Sequence, residues 1–166
     1  MTGPDELLTR GTAWAALWLY AAGEIHRSLQ GGSATSGAVR WWSTLGCGTF
    51  LMHIVCAFQF YHGWSHAAAY ADTARQTAAL LGRNWNWGGG LYVNYLFALV
   101  WLGEMTWSWC RPGGYVKRPR WLTHGVRGFF LFMIVNGTVV FVQGPMRWVG
   151  LCLCLVLLVS WSRRDR

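Results

Sequence analysis

The chain has 166 residues, of which 54% are apolar and only 12% are charged, and its formal net charge is +8. A charged fraction about half that of soluble domains excludes an ordinary water-soluble protein. The basic residues stand in short clusters between apolar runs. This pattern favours basic loops at a membrane face over a surface that binds nucleic acid.

Five apolar segments follow one another along the chain, and they predict an all-α integral membrane protein with a single transmembrane domain. Each segment has roughly 16–21 residues, near the length that a helix needs to cross a hydrocarbon core of about 30 Å. The five segments cover about residues 7–25, 41–61, 91–109, 126–142 and 146–161.

The first segment follows a short acidic N-terminus that contains Asp5 and Glu6. This N-terminus lacks the basic region and the cleavage site of a signal peptide, so the segment is predicted to remain as a membrane helix. The last two segments are predicted as separate helices because one helix over residues 126–161 would be about 54 Å long. Gly144 and Pro145 mark the turn between them.

The connections between the segments differ in character. Residues 62–90 are predicted to lie on the outer side, where "HAAAYADTARQTAALLG" is strong helix-forming sequence that ends at Gly82. Residues 111–127 are basic and broken by proline and glycine, so they are predicted to lie on anionic headgroups or to act only as a topology signal. The five cysteines show no disulfide framework and are predicted to be small apolar residues.

Lysine and arginine residues are divided unequally between the two predicted faces of the membrane, with ten on one side and four on the other. The positive-inside rule then places the N-terminus outside and the C-terminus in the cytoplasm of a bacterial-type plasma membrane. The predicted inner residues are Arg27, Arg40, Arg111, Lys117, Arg118, Arg120, Arg127, Arg163, Arg164 and Arg166. The predicted outer residues are Arg10, Arg75, Arg83 and Arg147.

Two histidines, His62 and His66, stand four residues apart in "YHGWSH" at the outer end of the second segment. On one helix, residues i and i+4 share a face, and two imidazoles there can hold one metal ion, with copper or zinc as candidates. A complete site needs three or four ligands. The alternatives are interfacial histidines bonded to water or backbone, and a pair that handles protons or binds a substrate.

Among the polar side chains within the predicted membrane segments, four lie at graded depths, namely Glu24, His53, Glu104 and Asn136. Such groups cost at least a few kcal/mol in a membrane and normally face a bundle interior or a cavity. They predict a polar path for protons or ions, or support for a cofactor. The alternative is a set of interhelical hydrogen bonds that fix the packing.

A further pair of histidines, His26 and His124, lies near the predicted inner face and is a weaker candidate for binding haem b. The leading hypothesis is a small membrane protein that binds a metal or redox cofactor near its outer face, as a subunit or assembly factor of a membrane system. The alternatives are a proton- or ion-linked transporter or channel-like protein, and a non-catalytic structural subunit. The predicted partners are the lipid bilayer and other membrane subunits or a second copy of the chain, without nucleic acid.

Overall fold

The computed structural model describes residues 3–30, 37–82, 86–142 and 144–164. Within these ranges the chain is helical and contains no strand, which confirms the all-α prediction. The helices are α1 Pro4–Leu29, α2 Gly37–Ala57, α3 His66–Leu81, α4 Gly90–Cys110, α5 Pro112–Val116, α6 Arg120–Val135 and α7 Met146–Arg164. Two of them, α2 and α6, continue into π-helical turns at Phe58–His62 and Asn136–Val140.

Five helices, α1, α2, α4, α6 and α7, pack in a closed ring and are called the long helices. Going round the ring, α1 contacts α2, α2 contacts α4, α4 contacts α6, α6 contacts α7, and α7 returns to α1. The short helix α5 packs on α4, and α3 packs on α4 and on the π-helical turn after α2. Every long helix therefore has two neighbours in the ring.

Neighbouring helices are held together by side-chain contacts near their ends, and these contacts fix the helix directions. The contacts are His53 Nδ1 to the Thr9 carbonyl at 2.9 Å, Ser28 Oγ to the Ser160 carbonyl at 3.0 Å, Trp109 Nε1 to Thr44 Oγ1 at 2.9 Å, and the Arg127 guanidinium 5.5 Å from the Trp161 ring centre. In consequence α1, α4 and α7 run in one direction, whereas α2 and α6 run in the other. We call the end that contains the last turns of α1, α4 and α7 the basic end.

Within the described residues, three helical stretches are long and apolar enough to cross a membrane, and they support the membrane assignment. They are Gly37–His62, Arg120–Val140 and Met146–Arg163. The first two are α2 and α6 with their π-helical turns, and the third belongs to α7. The predicted turn between the last two segments is also present, because α7 begins at Met146 and Gly144 has a left-handed φ of 80°.

The helix that contains the fourth predicted segment begins before that segment. The segment was expected to begin near residue 126, but α6 begins at Arg120, directly after Pro119. Proline has no N–H to donate and restricts the preceding residue, so it suits the position just before a helix. The basic connection is correspondingly short and contains α5.

Aromatic side chains fill the middle of the ring. The rings of Tyr20 and Phe97 each lie 4.7 Å from that of Phe130, and Trp101 lies 5.3 Å from the same ring. Gly46 of α2 makes room for this group, since a Cβ at that position would lie 2.8 Å from the Trp101 ring. The aromatic group separates the two ends of the bundle.

The outer connection contains the predicted helix, as α3. Ser65 caps its N-terminus by accepting a hydrogen bond from the Ala68 N–H at 3.2 Å, and Gly82 ends it with a left-handed φ of 63°. Gly88 then passes so close to α3 that a Cβ there would lie 2.2 Å from the Tyr70 carbonyl oxygen. The prediction of a helix that ends at Gly82 is confirmed.

Candidate functional site

A polar cavity lies inside the ring at the basic end. About 30 Å³ of it is open to the centre of a water molecule, which corresponds to about two water positions. Its lining contains two carboxylates, three guanidinium groups and three aromatic side chains with polar atoms. These residues are Glu24, Glu104, Arg27, Arg118, Arg127, Tyr20, Tyr115 and Trp101.

The first carboxylate belongs to Glu24 of α1, which is only 5% exposed. One helical turn further on, Arg27 Nη1 lies 2.9 Å from Glu24 Oε1. From α7, the Trp161 indole N–H donates to Glu24 Oε2 at 2.7 Å. A buried carboxylate is retained only when it is paired and hydrogen-bonded, and Glu24 meets both conditions.

The second carboxylate belongs to Glu104 of α4 and is held by residues that follow the helix. Tyr115 of α5 donates its hydroxyl hydrogen to Glu104 Oε2 at 2.9 Å, and the Arg118 guanidinium contacts the same oxygen. Arg118 also donates from Nε to Thr123 Oγ1 at 3.0 Å, and its guanidinium lies 4.3 Å from the Tyr115 ring centre. Burial raises the pKa of the Tyr115 phenol, so the hydroxyl remains protonated at neutral pH and can act as a donor.

The basic connection was predicted to lie on headgroups, but part of it folds over the cavity. Tyr115 and the Arg118 side chain are buried there, while Lys117 and Arg120 are exposed. The sequence contained a signal for this contact, namely Tyr115 and Arg118 in a segment broken by proline and glycine. This segment directly follows the predicted membrane segment that contains Glu104. Sequence reasoning treated those positions as loop charges and missed their role.

The charges around the cavity do not balance. Three guanidinium groups, of Arg27, Arg118 and Arg127, face two carboxylates, so the lining carries a net charge of +1. All three arginines are largely buried, and Arg127 is 6% exposed. In addition, Arg27 Nε and Trp101 Nε1 are buried and have no hydrogen-bond acceptor among the residues that the structure describes. The cavity therefore has an excess of positive charge and of hydrogen-bond donors.

The predicted polar path is only partly brought together. Glu24 and Glu104 line one cavity, as the path requires. His53 instead bonds to the Thr9 carbonyl of α1, nearer the opposite end of the bundle. Asn136 donates to the Phe132 carbonyl of its own helix at 2.7 Å. His53 thus makes an interhelical hydrogen bond, which was the predicted alternative to a polar path.

The two outer histidines do not share a helix. The π-helical turn ends at His62, Gly63 and Trp64 both have left-handed φ angles, and α3 begins at His66. His66 packs against two tyrosines of α4 with ring-centre distances of 5.8 and 5.9 Å. The i, i+4 argument for this pair was therefore wrong.

The described residues contain no group of three or more histidine, cysteine or acidic side chains placed to hold a metal ion. Copper or zinc at His62 and His66 thus stays a prediction. Haem binding by His26 and His124 also stays a prediction. His26 Nε2 lies 2.7 Å from the amide nitrogen of Gln30, and His124 is exposed on α6. All five cysteines are free thiols, and three of them are buried.

Comparison of the chain with protein-family models, curated proteins and solved structures finds no match in any of the three.

Proposed function

We propose that the chain is a five-span integral membrane protein of a bacterial-type plasma membrane that binds a small anionic ligand at its basic end. The N-terminus lies outside and the basic end faces the cytoplasm. The observation that carries the proposal is the buried cavity with three arginines and two glutamates.

The five-span arrangement is supported by the positions of α1 and α4 in the ring. Each of these helices lies between two of the three helices that are long and apolar enough for a membrane span by composition, α1 between α2 and α7, and α4 between α2 and α6. Both present large apolar side chains to the outside of the bundle, including Trp18, Leu96 and Leu99. A patch of this kind is costly in water and favourable in lipid. Helices that share a ring and a lipid-like surface are best explained by five crossings.

The orientation is supported by fewer charges than the sequence count suggested. Three of the ten predicted inner residues, Arg27, Arg118 and Arg127, line the cavity and are not loop charges. Seven remain on the inner side against four on the outer side, and the positive-inside bias keeps its direction.

Anion binding is supported by the sign of the cavity charge. Buried charge is costly unless it is compensated, so a lining with a net charge of +1 favours a negatively charged ligand. The two carboxylates already accept hydrogen bonds from Arg27, Trp161, Tyr115 and Arg118. They are therefore poorly suited to proton transfer or to binding a cation.

Binding from one side is favoured over transport through the bundle. The aromatic group formed by Tyr20, Phe97, Trp101 and Phe130 fills the ring next to the cavity, and Phe97 and Trp101 are nearly inaccessible. His53, which a path across the membrane would use, is bonded to backbone on the far side.

Thermal unfolding of the purified protein in an uncharged detergent tests the proposal. We expect at least one of chloride, acetate, sulfate, inorganic phosphate and dimethyl phosphate to raise Tm, because a ligand that binds only the folded state stabilises it. The shift should be lost in Arg127→Gln and kept in Arg120→Gln, which removes an exposed charge near the same end. If no anion shifts Tm of the unmodified protein beyond the general effect of salt, the binding function is wrong.

A further inference from the structure

Two buried N–H donors on residues that line the cavity have no acceptor among the described residues, and they belong to different helices. Arg27 Nε comes from α1, and Trp101 Nε1 comes from α4. Trp101 is 1% exposed, so bulk water does not reach its indole nitrogen. A buried donor without an acceptor costs about 1–3 kcal/mol, and both donors lie on residues that line the same cavity. A ligand that accepts hydrogen bonds in this cavity would remove that cost.

The donors greatly outnumber the acceptors. Three guanidinium groups provide about fifteen N–H donors, whereas two carboxylates provide about eight lone-pair sites. The lining donors come from α1, α4, α5, α6 and the residues between α5 and α6, and thus approach from several sides of the ring. A tetrahedral oxyanion can meet donors from several directions, while a planar carboxylate meets them mainly in one plane.

We infer that the ligand is a phosphodiester monoanion, bound by the arginines of the cavity and by the Trp101 indole N–H. This inference rests on the proposed anion-binding function and names the class of ligand. A phosphodiester carries one negative charge, which equals the net charge of +1 of the lining. A doubly charged phosphate monoester would leave one negative charge uncompensated in a buried site.

The size and depth of the cavity agree with this ligand. The 30 Å³ is the space that the centre of a water molecule can occupy. Extending this space outward by the radius of a water molecule gives a void on the order of 100 Å³, which is enough for a phosphate group. Glu24 lies five residues before the end of α1 and Glu104 six before the end of α4, or about 8–9 Å along the helix axis. At this depth the cavity lies close to the lipid phosphates of the inner leaflet.

Two sources provide the same chemistry, a phospholipid headgroup and a soluble diester, and the experiment distinguishes them. Isothermal titration of delipidated protein measures the affinities for dimethyl phosphate, inorganic phosphate and acetate. Native mass spectrometry of protein released from nanodiscs that contain phosphatidylglycerol measures the retained phospholipid. Dimethyl phosphate binding together with retained phospholipid identifies the lipid as the source, whereas dimethyl phosphate binding alone identifies a soluble diester.

The decisive variant is Trp101→Phe, which removes the N–H and keeps an aromatic ring. We expect it to bind dimethyl phosphate about 10-fold more weakly, the effect of one hydrogen bond to a charged group. The matched control is Trp109→Phe on the same helix, whose N–H is already bonded to Thr44 and whose loss should leave the affinity unchanged. Arg27→Lys is a second variant, which keeps the charge, removes Nε, and should also weaken binding.

Three results separate failure of this inference from failure of the proposed function. If acetate binds as tightly as dimethyl phosphate, the ligand is a general anion and the phosphodiester assignment is wrong, although anion binding stands. If Trp101→Phe and Arg27→Lys both fold and bind dimethyl phosphate like the unmodified protein, the assignment of the two donors is wrong. If the unmodified protein binds no anion at all, both the inference and the proposed function are wrong.

Discussion

Replacing Glu104 by glutamine should make the protein less stable and at the same time tighten its binding of anions. The substitution keeps the shape of the side chain and an oxygen that accepts from Tyr115. It removes the negative charge that faces Arg118, so the net charge of the cavity lining rises from +1 to +2. Stability and affinity respond to that charge in opposite directions.

The loss of stability can be estimated from the burial of the pair. The Arg118 and Glu104 side chains are only 8% and 14% exposed, and removal of one partner of a buried pair typically costs about 3–5 kcal/mol. Arg118 keeps its hydrogen bond to Thr123 and its contact with the Tyr115 ring, which reduces the expected cost to about 2–3 kcal/mol. For anions, two unit charges about 8 Å apart interact by about 2 kcal/mol at an effective dielectric constant of about 20, and this value sets the scale of the change in binding energy. This corresponds to at least about 10-fold tighter binding.

Both effects can be measured on one preparation. Denaturant unfolding in detergent gives the change in stability, and isothermal titration with dimethyl phosphate gives the change in affinity. The control is Asp72→Asn, which breaks an exposed pair with Arg75 at 2.8 Å and should cost less than about 1 kcal/mol. A Glu104→Gln protein as stable as the unmodified chain, with unchanged or weaker anion binding, would refute the charge argument.

Three further predictions concern the ends of the bundle. An externally active reporter fused after Gly82 and an internally active reporter fused at the C-terminus should both work, and activity of both fusions on one side would contradict the five-span orientation. Trp161→Phe should cost about 1–2 kcal/mol in an unfolding titration because it removes a buried donor to the carboxylate of α1; exposed Trp121→Phe should cost almost nothing. A double alanine variant of His62 and His66 should lose any metal that the purified protein carries in stoichiometric amount. Metal retained by that variant would exclude the two histidines as ligands.

The sequence was sufficient to predict features that depend on local composition. Apolar runs located the long helices, Gly82 located the end of α3, and Gly144 located the turn before α7. These features follow from backbone geometry and from the length of a membrane crossing, which a short window of sequence contains. The start of α6 was missed because its first two turns are basic, and hydropathy alone does not place a helix boundary there.

The site was predictable only in part because it depends on contacts between distant segments. Glu24 and Glu104 were recognisable as buried carboxylates, since a charge within an apolar run needs a partner. Their partners Trp161 and Tyr115 were not, because neither residue is unusual in its own segment. His53 resembled the two glutamates in the sequence, yet it lies on the part of α2 that faces the N-terminal half of α1. Depth along a helix was readable from the sequence, whereas the direction of the side chain was not.

The distribution of apolar and charged helices round the ring connects the fold with the site. Two helices of the ring, α1 and α4, do not reach the apolarity that a membrane span needs by composition alone. The same two helices carry the buried glutamates. Each is flanked by two of the three helices that do reach this apolarity. Glu24 has its partner Arg27 on the same helix, so this pair is neutral without a contribution from another segment. Glu104 depends on Arg118 in the segment that follows α4, so its charge is neutralised only when that segment folds over the cavity. Formation of the cavity and neutralisation of Glu104 are therefore coupled, because both depend on the contact between Arg118 and α4.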